Sequence, residues 1–390
     1  MPFDFDTVID RRNTASVKHD TVEANGYPAD FLPMWVADMD FQVPPCVTEA
    51  LGKAVDHGIF GYSFPTDGYF SAIQSWFQKH FAWQIQKDWI QPAPGVVFAL
   101  ATAIRAMTQP GDGVLVTPPV YYPFYRVIQT NDRKLVESQL KYEDGKYTID
   151  FADFEKKIRE EDVKLFILCS PHNPICRVWT EDELKTIGQI CRRHGVKVIS
   201  DEIHCDFTWP GITHIPFVVA CPEMAEHTMV CTAPSKSFNL AGLQTSNIII
   251  PGAALREKWQ EEMQRLNYQA PNSLGLLACQ AAYEGGEQWL QECKEYMKGN
   301  LDYVRSFLEE NLPQIQLVQP EGTYFAWLDC SGLGLTKEAL DQLIIHKAKL
   351  WLDNGSLFGQ CAGQFQRVVL ACPRQLVEKA MRQIKMALEE

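Results

Sequence analysis

The sequence predicts an α/β protein with a largely parallel central sheet, helices on both faces, and a smaller α+β domain. Three observations carry this. The chain has 390 residues, too many for one ordinary hydrophobic core. Through its middle, short apolar runs alternate with helical patterns, as βα units require. From about residue 286 onward the pattern changes to long helical stretches flanking short strands.

In chain order, Val114-Leu115-Val116 is a strand candidate ended by Thr117-Pro118-Pro119. Leu165–Cys169 is a second, ended by Ser170-Pro171. Thr180-Glu181-Asp182-Glu183 then reads as a capping box, with Thr180 as N-cap and Glu183 reaching back. The helix it opens carries Leu184, Ile187 and Cys191 on one face and stops near Gly195. Val196–Ile199, Met229–Cys231 and Ile248–Ile250 are further strands. Beyond residue 286, Trp289–Glu310, Lys337–Lys349 and Leu376–Leu388 read as helices, with strands near Tyr324–Leu328 and Val368–Leu370. Residues 1–45 are loop-rich. The expected division is therefore 1–45, a segment joining the small domain; 46–285, a large ligand-binding domain; and 286–390, the small domain.

Composition excludes several classes. The formal net charge is −13, and non-specific nucleic-acid binding needs a basic surface. The 12 cysteines form no C-x-x-C pair and no Cys/His cluster with zinc spacing, so neither a metal site nor a disulfide framework is expected. No basic region followed by an apolar stretch opens the chain, and no run of ~18 apolar residues could span a bilayer. A cytoplasmic location with reduced thiols is expected.

In open α/β sheets, ligands bind beyond the carboxyl ends of the strands. After Leu165–Cys169 comes S-P-H-N-P, with His172 and Asn173. After Val196–Ile199 comes S-D-E-I-H, with Asp201 and His204. After Met229–Cys231 comes T-A-P-S-K, with Ser235 and Lys236. Taken singly, each has an ordinary explanation: Asn173 as a turn residue before Pro174, Asp201 as a helix N-cap, Lys236 as a surface lysine. Yet no acidic residue lies between Met229 and Ile250 to pair with Lys236. Three consecutive strand ends deliver an amide, a carboxylate and an amine in order. That set suits a ligand with a carbonyl, a hydroxyl and a basic ring nitrogen, and pyridoxal 5′-phosphate is such a ligand. Its aldehyde needs a lysine for a Schiff base, its ring nitrogen an Asp partner, its ring hydroxyl oxygen a donor. Pro94-Gly95-Val96-Val97 leading into a helical pattern offers an anion site at a helix N-terminus, and Tyr121 offers an aromatic face.

These residues carry a resemblance. S-P-H-N-P, S-D-E-I-H and A-P-S-K-S-F-N-L-A-G-L-Q, in this order, resemble the aspartate-aminotransferase-like, PLP-dependent transferase fold (fold type I), within the class I/II aminotransferase family. More narrowly they resemble the MalY/PatB group of cystathionine β-lyases, or C–S lyases. The opening I-D-R-R-N-T-A-S-V-K and M-W-V-A-D-M-D-F, then F-G-Y, P-E-G-T-Y-F-A-W-L-D and R-V-V-L-A-C-P-R, extend the likeness from about residue 3 to 385. The resemblance implies Lys236 as the Schiff-base lysine and Asp201 as the ring-nitrogen partner. Asn173 would meet the ring oxygen, and Tyr121 would stack on the ring beside Lys236 among the catalytic groups. His204 would join the cofactor shell; Val96, Val97 and Ser235 would hold the phosphate. Tyr62 would reach the phosphate of a neighbouring subunit, implying a homodimer with shared sites. Arg367 would clamp the substrate α-carboxylate, with Val36 and Ala37 also meeting substrate.

Two positions depart from the group's pattern. Cys176 stands where N-P-x-G-R has glycine, so a turn with positive φ there would be strained. Val369 replaces the asparagine of R-x-N after the clamp and supplies no side-chain hydrogen bond. The implied reaction is β-elimination: cystathionine or a related cysteine S-conjugate gives a thiol, pyruvate and ammonia. An aminotransferase on the same scaffold uses the same lysine and is the nearest rival. A regulatory binding protein and an inactive scaffold are further alternatives.

Overall fold

The computed structural model describes residues 3–28 and 30–389. Its main sheet has seven strands, in the spatial order 90–93, 246–249, 228–232, 197–201, 163–169, 113–116, 134–137. The last five run parallel; 246–249 is antiparallel to both of its neighbours. All five strands expected in this sheet are present, each shifted or extended by a residue or two.

The two strands that the sequence pattern did not reveal, Ile90–Ala93 and Lys134–Glu137, are the two edges. Edge strands tolerate proline and polar side chains because one row of backbone groups has no sheet partner. Pro92, Lys134 and Glu137 therefore erased the apolar signal without preventing the strand.

Side-chain alternation separates two apolar layers. Val114, Val116, Leu165 and Ile167 pack with Ala99, Leu100, Ala103 and Ile104 of the helix Val96–Met107. Leu115, Phe166 and Leu168 point the other way, to Leu184, Ile187 and Cys191 of the helix Glu181–His194. That second helix opens on the expected capping box and ends at Gly195 with φ +67, a conformation glycine adopts without steric cost.

A second, antiparallel sheet has the order 316–317, 325–329, 365–369, 353–354. The helices Glu287–Asn311 and Arg374–Glu389 pack against each other beside it. The helix expected over Lys337–Lys349 is shorter: it is α-helical only to Gln342 and widens into a π turn, Leu343–Lys347. Ala348 N–H closes that turn on Leu343 O, and Lys349 at φ +52 redirects the chain into Leu350–Trp351. Those two residues pair in parallel with Leu32–Pro33, tying the loop-rich N-terminal segment to the C-terminal part.

The register of the main sheet aligns its active edge. Cys169 stands opposite Asp201, and Asp201 opposite Cys231. The residues that follow each strand therefore emerge side by side.

Candidate active site

Beyond these aligned strand ends lies a cavity of about 430 Å³. Ala37, Val96, Val97, Tyr121, Asn173, Asp201, His204, Ser235 and Lys236 all line it. Nine residues singled out from sequence thus meet in one space.

Lys236 sits on the helical turn Pro234–Ser237 that follows the strand 228–232. Its accessible surface faces the cavity it lines. Nζ donates to Ala37 O at 2.7 Å, an oxygen that also accepts from the Tyr324 hydroxyl at 2.9 Å. Burial pulls the amine down to about 8; Arg367 acts in the same direction, while Asp38 and Asp201 oppose it. Lowered basicity leaves more of an amine in its uncharged form, the form that attacks an aldehyde.

Asp201 is buried, and Oδ1 accepts from Ile203 N–H at 3.2 Å. Burial pushes its carboxyl up to about 7, against the Ile203 bond and the Lys236 charge. A carboxylate this costly to ionise gains from a cationic partner inside the cavity. His204 is buried edge-to-face against Tyr324 and Phe325, with centroids 5.4 and 5.3 Å away. Burial holds it neutral, well below the usual histidine range, and its Nδ1 has no protein partner among the described residues.

Pro94 to Phe98 bring the start of the helix Val96–Met107 to the cavity wall. Gly95, its N-cap, has no side chain to satisfy the first backbone N–H groups, which leaves them and the helix dipole for an anion. Ser235, Gln244 and Thr245 border the cavity as well.

Arg367 is buried and is not among the cavity-lining residues; it touches them through Asn173, whose Oδ1 accepts from Nη1 at 2.9 Å. Its Nη2 donates to Trp35 O at 2.8 Å and to Asp353. The guanidinium carbon lies over the rings of Phe325 and Phe358, 4.4 and 5.0 Å from their centroids. Val36 is partly buried between Trp35 and Ala37, the two residues whose carbonyls hold Arg367 and Lys236, but it is not among the cavity-lining residues. Tyr62 is also absent from this cavity. It is fully exposed, in a stretch that also exposes Ile59, Phe60 and Phe64.

Sequence reasoning missed Cys169, Ile203, Gln244 and Thr245 of the lining, although each adjoins a motif already singled out. It missed Asp353 entirely, because L-D-N-G carries no signal until its strand is paired opposite Arg367. Both departures take definite form. Cys176 keeps the left-handed conformation, at φ +60, with its Sγ 3.3 Å from Thr323 Oγ1 and 3.4 Å from Phe325 O. Val369 is buried, and its N–H donates to Met34 O at 3.0 Å; the side-chain polar partners of Arg367 are Asn173 and Asp353 instead.

The fold and cavity define a doubly covered α/β protein with a half-buried lysine and a buried carboxylate and amide beside a helix N-terminus. Residues 30–384 match the family model for aminotransferase class I and II, and the chain belongs to that family. Among its relatives, "Cystathionine beta-lyase PatB" of Bacillus subtilis (strain 168) is 41% identical over 384 residues, 98% of this chain and 99% of that one. Among solved structures, cystalysin from Treponema denticola, which contains a pyridoxal 5′-phosphate cofactor, superposes with a TM-score of 0.96. It is 38% identical and covers 100% of this chain and 99% of its own. A PLP-bound putative aminotransferase from Clostridium difficile 630 also gives a TM-score of 0.96, at 40% identity over 99% of this chain and 100% of that one.

Proposed function

We propose that this chain is a PLP-dependent carbon–sulfur β-lyase that takes L-cystathionine or related cysteine S-conjugates. The observation that carries the reading is Lys236, an amine with lowered basicity, sharing one buried cavity with Asp201 and Asn173. The kinship to PatB over nearly the whole chain supports lyase chemistry on that site.

The residues fit the cofactor. The open helix N-terminus, with Val96, Val97 and Ser235, suits a phosphate. Asp201, raised by burial, would be stabilised as a carboxylate by a protonated ring nitrogen. Tyr121 offers its ring for stacking, Asn173 an amide for the ring oxygen, and His204 fills out the wall. When bound, pyridoxal phosphate supplies an aldehyde that takes up an amine and a protonated ring that accepts an electron pair.

The protein's own groups then have distinct tasks. Arg367 and the neighbouring Val36–Ala37 segment orient the substrate by its α-carboxylate. Lys236 Nζ takes the α-proton and holds it near the departing sulfur. Asp201 keeps its negative charge against the ring nitrogen throughout. With one water consumed overall, cystathionine gives homocysteine, pyruvate and ammonia.

We assign the chain as a homodimer, with exposed Tyr62 serving the phosphate of the second copy; its apolar neighbours Ile59, Phe60 and Phe64 support this surface as a covered one. The division at residues 45 and 285 and a cytoplasmic location belong to the same reading. No helix among the described residues is long and apolar enough to cross a membrane. Aminotransfer is the competing chemistry, supported by the likeness to the putative aminotransferase of Clostridium difficile. The test supplies cystathionine to the holoenzyme and reads pyruvate and free thiol, in parallel with amino-group transfer to a 2-oxo acid. Pyruvate and thiol in equal amounts are expected. Transfer without thiol release would overturn the lyase reading.

A further inference from the structure

Arg367 cannot take a carboxylate with two hydrogen bonds as it stands. A guanidinium has five N–H donors, and a carboxylate engages two parallel ones on a single edge. Two such edges exist, Nε with Nη2 and Nη1 with Nη2, and both require Nη2. The two hydrogens of Nη2 are already committed, one to Trp35 O at 2.8 Å and one to Asp353. Nη1 gives one hydrogen to Asn173, and Nε is buried without a partner among the described residues. The free donors, Nε–H and one Nη1–H, lie on different edges and form no fork.

The arginine cannot turn to offer another edge. Its Cζ lies over the Phe325 and Phe358 rings, and the side chain is buried, so the neighbouring packing holds its plane. Of the two acceptors on Nη2, Trp35 O is fixed by the backbone. Met34 N–H donates to Trp351 O at 2.9 Å, and Met34 O accepts from Val369 N–H at 3.0 Å. Asp353 is held through its side chain, which has rotamers to move through. It is paired opposite Arg367 in the antiparallel sheet and is itself buried. It lies near enough to Tyr121 and Tyr122 that, after burial, its charge adds to what opposes ionisation of both phenols.

We propose that Asp353 is a built-in competitor for the carboxylate clamp, displaced from Arg367 Nη2 when an α-carboxylate binds. It thereby sets how tightly the site takes α-amino acids and is a specificity-determining positioning residue. This rests on Arg367 being the substrate clamp in the reading above. A role confined to bracing Arg367 predicts the opposite sign: removing the Asp353 charge would then weaken carboxylate binding.

The test uses the holoenzyme and its Asp353→Asn variant, with two probes measured by calorimetry. L-alanine carries an α-carboxylate and no leaving group; ethylamine carries the amine alone. Asparagine keeps the shape and leaves a weaker, uncharged acceptor on Nη2. The expected result is a fall of about tenfold in the L-alanine Kd, the scale of one charge-assisted hydrogen bond, with the ethylamine Kd little moved. The KM for cystathionine should fall with it, more than kcat changes. An unaltered or reversed L-alanine to ethylamine ratio overturns the proposal and leaves the lyase reading intact. Failure of both probes to bind the wild-type protein overturns both. A crystal structure of the wild-type holoenzyme with L-alanine tests the same point without a variant. Asp353 is expected off Nη2, and its retention there beneath a bound carboxylate refutes the displacement.

Discussion

Asp40→Asn probes how the N-terminal segment is fastened beneath the site. Asp40 is buried and accepts from Lys18 Nζ at 2.6 Å and Arg11 Nη1 at 2.7 Å, with His19 Nε2 at 3.3 Å. Lys18 is only 1% exposed, so little water is available to replace this partner. Asparagine leaves Lys18 with Asp38 alone, 3.9 Å away. Breaking a buried pair by removing one partner costs about 3–5 kcal/mol, and the residual Asp38 contact places this case near about 3 kcal/mol. An unfolding entropy of about 2.1 cal/mol/K per residue gives roughly 0.8 kcal/mol/K for a chain of 390 residues. The thermal midpoint should therefore fall by about 4 °C. Burial pushes the Asp40 carboxyl up, but Lys18, His19 and Arg11 more than reverse this and hold it below the usual range. Its folded value lies below its unfolded one, so its contribution is complete above about pH 4 and is lost as pH falls further. The gap between variant and wild type should narrow in acid. The same segment carries Ala37 O, the acceptor of Lys236, and Met39 N–H donates to Asn239 Oδ1 at 3.0 Å, three residues beyond that lysine. Loosening the segment should therefore also slow turnover. A neutral-pH midpoint within 1 °C of wild type, measured by scanning calorimetry, would refute this account of Lys18.

Three further outcomes follow from the cavity. Lys236→Ala should abolish turnover and the visible absorbance of the lysine-bound cofactor, and wild-type-like pyruvate release by that variant would remove the assignment. Because burial lowers the Lys236 amine to about 8, the rate at which apoprotein takes up pyridoxal phosphate should climb from pH 6 and level off above about 8; a rise continuing past pH 10 would mean an ordinary lysine. Asp201→Asn keeps the shape of the wall but removes the ring-nitrogen partner, so kcat/KM should fall at least about 100-fold, on the scale of a lost electrostatic contact to developing charge, and steady-state kinetics within tenfold of wild type would count against that role.

Much of the site was legible because it is local. Asn173, Asp201 and Lys236 each follow a strand that its own apolar run identifies, and parallel pairing in register brings such strand ends together without further information. The capping box at Thr180 and the stop at Gly195 were legible for the same reason, since a cap is made within a few residues of chain. The edge strands were not, because an edge needs no apolar signature.

The sequence by itself determined the α/β class, the three strand-end residues, a helix N-terminus beyond Pro94-Gly95 and the acidic balance of the molecule. Each of these is set by side chains near one another in the chain. Only the tertiary structure decided that Ala37 O receives Lys236, that Asp353 occupies Arg367, and that Tyr62 is exposed and outside the cavity lining. Those contacts join residues far apart in sequence or leave one exposed. Their energies come from burial and from long-range pairing of charged groups, which no local pattern encodes.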